Sequence, residues 1–163
     1  MASTDELRSA KIKSALALVG FLLISYSVAL VSSSFSPDAW YASLIKPSWN
    51  PPNWLFGPVW TLLYGMIAVA AWRVWRVKDS QLALAMWALH LVPNMLWSYF
   101  FFSAHRLDYA LVDISFLLVG IVATMGLFAQ RDRIAALLML PYLAWVSFAT
   151  LLNWTLLRLN WQI

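Results

Sequence analysis

The sequence predicts an all-α integral membrane protein, a single domain over residues 1–163 formed by a bundle of five transmembrane helices with a long Pro/Trp-rich lid loop between the first and the second. Three observations carry this. The chain is 63% hydrophobic and only 11% charged, whereas a soluble domain is roughly a quarter charged, so too few charges remain to cover a water-facing surface. The apolar residues fall into long runs of membrane-spanning length, about twenty residues each. The basic residues sit at the ends of those runs rather than on one face, which excludes a nucleic-acid surface and reads instead as topology.

The first helix is expected over residues 14–35, after a polar start carrying Asp5, Glu6, Arg8, Lys11 and Lys13. A basic start before an apolar run also describes a signal peptide, but this run is longer than the usual signal core and Val31 to Ser34 makes a poor cleavage site, so a retained helix is favoured. Residues 36–56, reading SPDAWYASLIKPSWNPPNWLF, hold four prolines and three tryptophans. Proline lacks an amide hydrogen and pushes the preceding residue out of the helical region, so no continuous helix runs here. A loop this long and this aromatic is expected to cover something, and Trp40, Lys46, Pro47, Trp49, Pro51 and Pro52 are its principal lid residues.

The second helix is expected over 58–77, with Pro58 at a first position that tolerates proline. The third, 81–102, contains Pro93 and should bend there. The fourth, 109–130, has Asp108 as its expected N-cap, Asp113 seeking a cationic or hydroxyl partner, and Gly120, Ala123, Thr124 and Gly126 suited to close helix packing. The fifth is expected as one helix over 134–159. Arg8, Lys11, Lys13, Arg73, Arg76, Lys78, Arg131 and Arg133 fall on one side of the membrane, against Lys46, Arg106 and Arg158 on the other. The amino terminus should therefore be cytoplasmic, with the lid and carboxyl terminus opposite.

A candidate site follows from depth, at about 1.5 Å per helical residue. Trp60 lies just below the lid. His90, Asn94, Trp97 and Phe101 form a stripe on the third helix, and Trp145, Ala149 and Asn153 repeat every four residues on the fifth. Trp60, Asn94, Trp97, Trp145 and Asn153 thus converge in the lid-side half. Trp40, Trp49, Trp54, Trp154 and Trp161 at one level, with Trp72, Trp75 and Trp87 at the other, read as interfacial belts where they do not belong to the lid. Asn94 and Asn153 fit either interhelical hydrogen bonds or pocket polar groups, and His90 either a structural hydrogen-bonder or a functional group. No nucleophile and base at a recognisable spacing, no phosphate loop and no carboxylate pair is present. Two histidines without cysteine make a poor metal site, so no metal and no obligatory cofactor are expected.

WYASLIKPSWNPP (Trp40 to Pro52), GPVWTLLYG (Gly57 to Gly65), PNMLWSYFFF (Pro93 to Phe102) and PYLAWVSFATLLNWTLLRLN (Pro141 to Asn160) closely resemble the tryptophan-rich sensory protein and translocator protein family. The match runs in order from about residue 36 to the end. It implies a five-helix protein, often a homodimer, whose first loop closes over a pocket for porphyrins and, in animal members, for cholesterol and synthetic ligands. Carried over by position, it makes Tyr41, Trp60, Asn94, Trp97, Trp145, Ala149 and Asn153 the pocket residues, and Trp60 and Trp145 the pair associated with light-dependent porphyrin breakdown in bacterial relatives. One departure bears on the ligand: the animal cholesterol motif has a tyrosine where Leu152, Trp154 and Arg158 here supply only an aliphatic residue, a tryptophan and a basic one. The resemblance therefore favours a receptor or carrier of haem-like tetrapyrroles such as protoporphyrin, not of cholesterol. A light-dependent porphyrin-degrading enzyme and a proton-linked transporter or signalling scaffold using His90 and Asp113 are the alternatives.

Overall fold

In a computed structural model, which describes residues 4–161, the chain is helical throughout its spanning parts. The elements are α1 (Thr4–Ser33), α2 (Ala39–Ser43), a 3-10 turn (Asn53–Leu55), α3 (Phe56–Trp75), α4 (Gln81–Ser98) closing in a π turn (Tyr99–Ser103), α5 (Leu107–Ala129), α6 (Arg133–Leu138) and α7 (Leu140–Leu159). Four helical stretches are long and apolar enough to cross a membrane: Thr4–Ser33, Asn53–Trp75, Leu107–Ala129 and Arg133–Leu159. With lipid as solvent, every backbone group must be paired within the segment, which helices alone among open structures achieve. Gln81–Ser98 is not among the four, because it carries Gln81, His90, Pro93 and Asn94 within an otherwise apolar helix.

The long helices pack in a closed circuit: α1 against α3 and α4, α4 against α5, α5 against α6 and α7, and α6 and α7 back against α3. Ile67, Ala70, Ala71 and Val74 of α3, Ile121 and Phe128 of α5, Met139 before α7, and Tyr142, Val146 and Leu156 of α7 are fully enclosed. α1 stands apart, with Ser25 its one buried residue. Leu16, Leu23 and Leu30 are 66%, 67% and 72% exposed, an apolar face that suits a lipid surrounding.

Several boundaries differ from the sequence expectation. α1 is already helical at Thr4, before the expected residue 14, since Asp5 and Glu6 complement the positive end of the helix and let it extend beyond the apolar run. The lid segment is not wholly irregular: Asp38 nucleates the single turn of α2 between prolines. Pro93 lies inside α4 without ending it, and the α pattern gives way only at Tyr99, in the π turn. The expected fifth helix breaks at Met139 into α6 and α7, because Pro141 brings no amide and its ring meets the carbonyl four residues back. Asp108 does not cap α5. Arg106 holds the cap position, and Asp108, in the first turn, receives its guanidinium through Nε at 2.8 Å and Nη2 at 2.6 Å.

Three further expectations are corrected. Asp113 finds no partner, and its Oδ2 is buried without a hydrogen bond among the described residues. Trp87 is not a belt residue: it is 3% exposed and meets Phe21 edge-on, ring centres 5.2 Å apart. Of the small residues on α5, Gly120 is packed so closely that a Cβ would lie 3.0 Å from His90 Cβ, while one at Gly126 would meet nothing within 4 Å.

That contrast gives a test. Gly120→Ala must push α4 and α5 apart and should lower stability by about 1–3 kcal/mol, whereas Gly126→Ala should be neutral or slightly stabilising. Thermal unfolding of the detergent-solubilised pair of variants measures both.

Candidate functional site

The connection between α1 and α3 is fastened at two places. Asp38 accepts the Tyr41 amide at 3.0 Å, capping α2, while its other oxygen accepts from His105 Nε2 at 3.0 Å. The Trp40 indole stacks on the same imidazole at 4.3 Å and 16°. His105 adopts φ 54°, a left-handed backbone that a non-glycine residue takes only where its surroundings hold it. Seven residues along, Asn160 at the end of α7 clamps both backbone groups of Ile45, accepting its amide at 2.9 Å and donating to its carbonyl at 3.0 Å. Lys46 donates to the Ala42 and Leu44 carbonyls and lies over the Tyr41 ring, and Trp49 meets Phe148 edge-on. The Tyr41 amide, and after it His105, hold the Asp38 carboxyl below its ordinary value. Burial raises the Tyr41 hydroxyl, which stays protonated and donates to Asn50 at 3.3 Å.

Beneath the connection, polar side chains join the helices. Asn94 of α4 accepts from the Tyr64 hydroxyl of α3 and donates to the Tyr142 hydroxyl of α7 at 2.6 Å. One turn nearer the connection, Trp97 Nε1 donates to Asn153 Oδ1 at 3.1 Å, and Asn153 donates onward to the Leu107 carbonyl of α5 at 2.9 Å. Both asparagines are therefore interhelical hydrogen-bonders, and both also line cavities. His90 lies deeper, against Gly120 and Thr124 of α5 and the Tyr142 ring, and reaches neither cavity. Among the described residues its Nε2 has no hydrogen-bond partner, and no contact joins it to Asp113.

A cleft of about 510 Å³ opens between the ends of α1, α3 and α4, within the 300–1,000 Å³ typical of small-molecule sites. Trp60, Asn94 and Trp97 line it, with Tyr26, Ala29 and Leu30 of α1, Phe56 and Tyr64 of α3, and Ser36, Pro37 and Asn53 of the connection. Tyr41, Trp97, Trp145, Ala149 and Asn153 line a second gap of about 10 Å³, room for a single water at most. Phe56, Trp97 and Phe102 border both, so an aromatic wall divides the residues expected in one pocket into two groups. Trp60 and Trp145 stand on opposite sides of it, and the Trp145 indole N–H is buried without a partner. Trp40, Lys46, Pro47, Trp49, Pro51 and Pro52 line neither cavity. Sequence reasoning missed the α1 wall of the cleft and the Asn160 clamp; the polar run from Ser25 to Ser27 and from Ser32 to Ser34 was the available signal for the first.

Residues 15–159 match the family model described as TspO/MBR family. The chain is 43% identical over 141 residues to a tryptophan-rich protein TspO of Chlorobaculum tepidum, covering 82% of this chain and 89% of that one. It is 41% identical over 142 residues to a tryptophan-rich sensory protein of Cereibacter sphaeroides, covering 87% and 90%. Against the translocator protein of Homo sapiens it is 37% identical over 126 residues, covering 74% and 75%.

Two outcomes check the fastening. Asn160→Ala removes both bonds to Ile45 and should cost about 1–2 kcal/mol, seen as faster amide exchange at residues 44–46. Because the folded Asp38 carboxyl lies below its ordinary value, its contribution is complete above about pH 4 and is lost as pH falls through the folded value. Exchange at Tyr41 should rise only in that acid range, and Asp38→Ala should reproduce the rise at neutral pH.

Proposed function

This chain belongs to the TspO/MBR family, and from that premise we propose that it is a membrane receptor or carrier that takes flat tetrapyrroles such as protoporphyrin into the cleft beneath its α1–α3 connection. The observation that carries this reading is the cleft itself, large enough for a small-molecule ligand, with two indoles, Trp60 and Trp97, on its walls and the Asn94 amide among its polar groups. Apolar walls with few placed polar groups suit a macrocycle that is apolar on its faces and polar at its edge. The connection acts as the lid, and its prolines reduce the ordering cost of closing.

In this proposal α4 with its π turn is the fifth span, carried by packing against α5 rather than by its own hydropathy. The amino terminus faces the cytoplasm, following the Lys and Arg asymmetry, and two copies associate through lipid-facing helix surfaces. The macrocycle first occupies the Trp60 side of the aromatic wall. Reaching Trp145 requires the Phe56 or Trp97 ring to swing aside, so light-dependent breakdown using both tryptophans would be a later step, not a condition of binding.

Titration of the solubilised protein with protoporphyrin in the dark, followed by tryptophan quenching, tests the placement. Trp60→Ala should weaken binding by about 2 kcal/mol, some thirtyfold in Kd, while Trp145→Ala should change it little. Equal losses would mean that the ligand spans the wall, and unchanged binding in both would refute the cleft. Illumination of the same sample should leave the porphyrin spectrum stable; bleaching that is lost in Trp60→Phe/Trp145→Phe would make the protein an enzyme.

A further inference from the structure

At the end of the bundle away from the lid, α1 and α3 enclose a second groove of about 690 Å³. From α1 it is lined by Leu7, Ala10, Lys11, Ser14, Ala15 and Leu18, which recur at three- and four-residue steps and so share one helix face. From α3 come Trp72, Trp75 and Arg76. The Trp72 indole donates to the Ser14 carbonyl at 2.8 Å, joining the two helices, and the Arg76 guanidinium lies over the Trp72 ring at 4.8 Å.

The two cations of this groove differ from Arg73 and Arg106. Arg73 is paired with Asp132 at 2.9 Å and Arg106 with Asp108 at 2.6 Å. Lys11 and Arg76 have no carboxylate partner among the described residues, and no carboxylate lines the groove with them. Two cations without a carboxylate partner thus line an indole-bearing groove, beside the end of the spanning stretch Asn53–Trp75.

We propose that this groove is a binding site for an anionic phospholipid, with Lys11 and Arg76 on the headgroup phosphate, Trp72 and Trp75 at the glycerol level, and Leu7 and Leu18 along an acyl chain. Charge complementarity selects the anion. Two opposed cations from different helices fix a phosphate better than a single snorkelling residue does. Aromatic rings at that depth favour the amphipathic boundary of a lipid over a wholly aqueous ion. The exposed Leu16 and Leu23 face of α1 is covered by bilayer, so a lipid reaches the groove without crossing water. Bound there, it would add to the packing of α1 against α3, whatever the cleft at the other end accepts.

The test reconstitutes the full chain in nanodiscs of phosphatidylcholine with a minor fraction of phosphatidylglycerol and counts retained lipids by native mass spectrometry. Wild type should retain phosphatidylglycerol over phosphatidylcholine by roughly tenfold to thirtyfold, at about a factor of several per cation. Lys11→Gln/Arg76→Gln should abolish that preference, while Arg131→Gln/Arg133→Gln, which removes two cations outside the groove, should keep it. Equal retention in the groove variant, or equal loss in both variants, overturns the proposal. Tryptophan emission in discs of phosphatidylcholine alone should not respond to inorganic phosphate. If phosphate reproduces the change that phosphatidylglycerol causes, and Lys11→Gln/Arg76→Gln removes it, the groove takes a free anion and the lipid assignment falls.

Discussion

Asn94 ties three helices together beside the cleft. Its carbonyl accepts from Tyr64 and its amide donates to Tyr142, so α3, α4 and α7 are fixed in relative height as well as in contact. Interhelical hydrogen bonds in membranes are individually modest, about 1 kcal/mol. Their value here is positional: a polar group left unpaired in hydrocarbon costs far more than a paired one gains, so the three side chains admit only one register. Asn153 repeats the arrangement for α4, α5 and α7. Trp60 and Trp97 owe their places beside the cleft to this registration.

The side of the bundle facing α1 is built differently. Ser25 is the only α1 residue that is buried, and the helix touches α3 through few specific groups, among them the Tyr26 hydroxyl on the Thr61 carbonyl and the Trp72 indole on Ser14. The cleft lies beside this helix, whereas the junction of α4, α5 and α7 leaves only the small gap beside Trp145. The fastenings at Asp38 and Asn160 restrain the loop above the cleft.

Much of this was legible in the sequence. The long apolar runs located the helices, and prolines marked the connection between α1 and α3. Four- and three-residue spacing brought Asn94 and Trp97 to the level of Asn153 and Trp145, and Trp97 donates a hydrogen bond to Asn153. What spacing along each helix could not give was rotation about its axis, and so the wall of Phe56, Trp97 and Phe102 that separates Trp60 from Trp145 was invisible. Asp113 misled because its position promised a partner that the surrounding helices do not supply. The split between α6 and α7 was foreshadowed by Pro141, but hydropathy runs on unbroken through the kink. His105 gave no sequence signal at all, since its role depends on a loop conformation that brings it under Trp40.

The clamp between Ile45 and Asn160 links residues 115 positions apart. During synthesis, at about 5–20 residues per second, Ile45 leaves the ribosome on the order of ten seconds before its partner does. The first loop can be held at Asp38 by His105 before α7 is made, but its second fastening must wait until α7 has been threaded into the bilayer. Full fastening of the earliest loop becomes one of the last events of biogenesis, and a nascent chain stalled before α7 would present the cleft with its loop held at the Asp38 end alone.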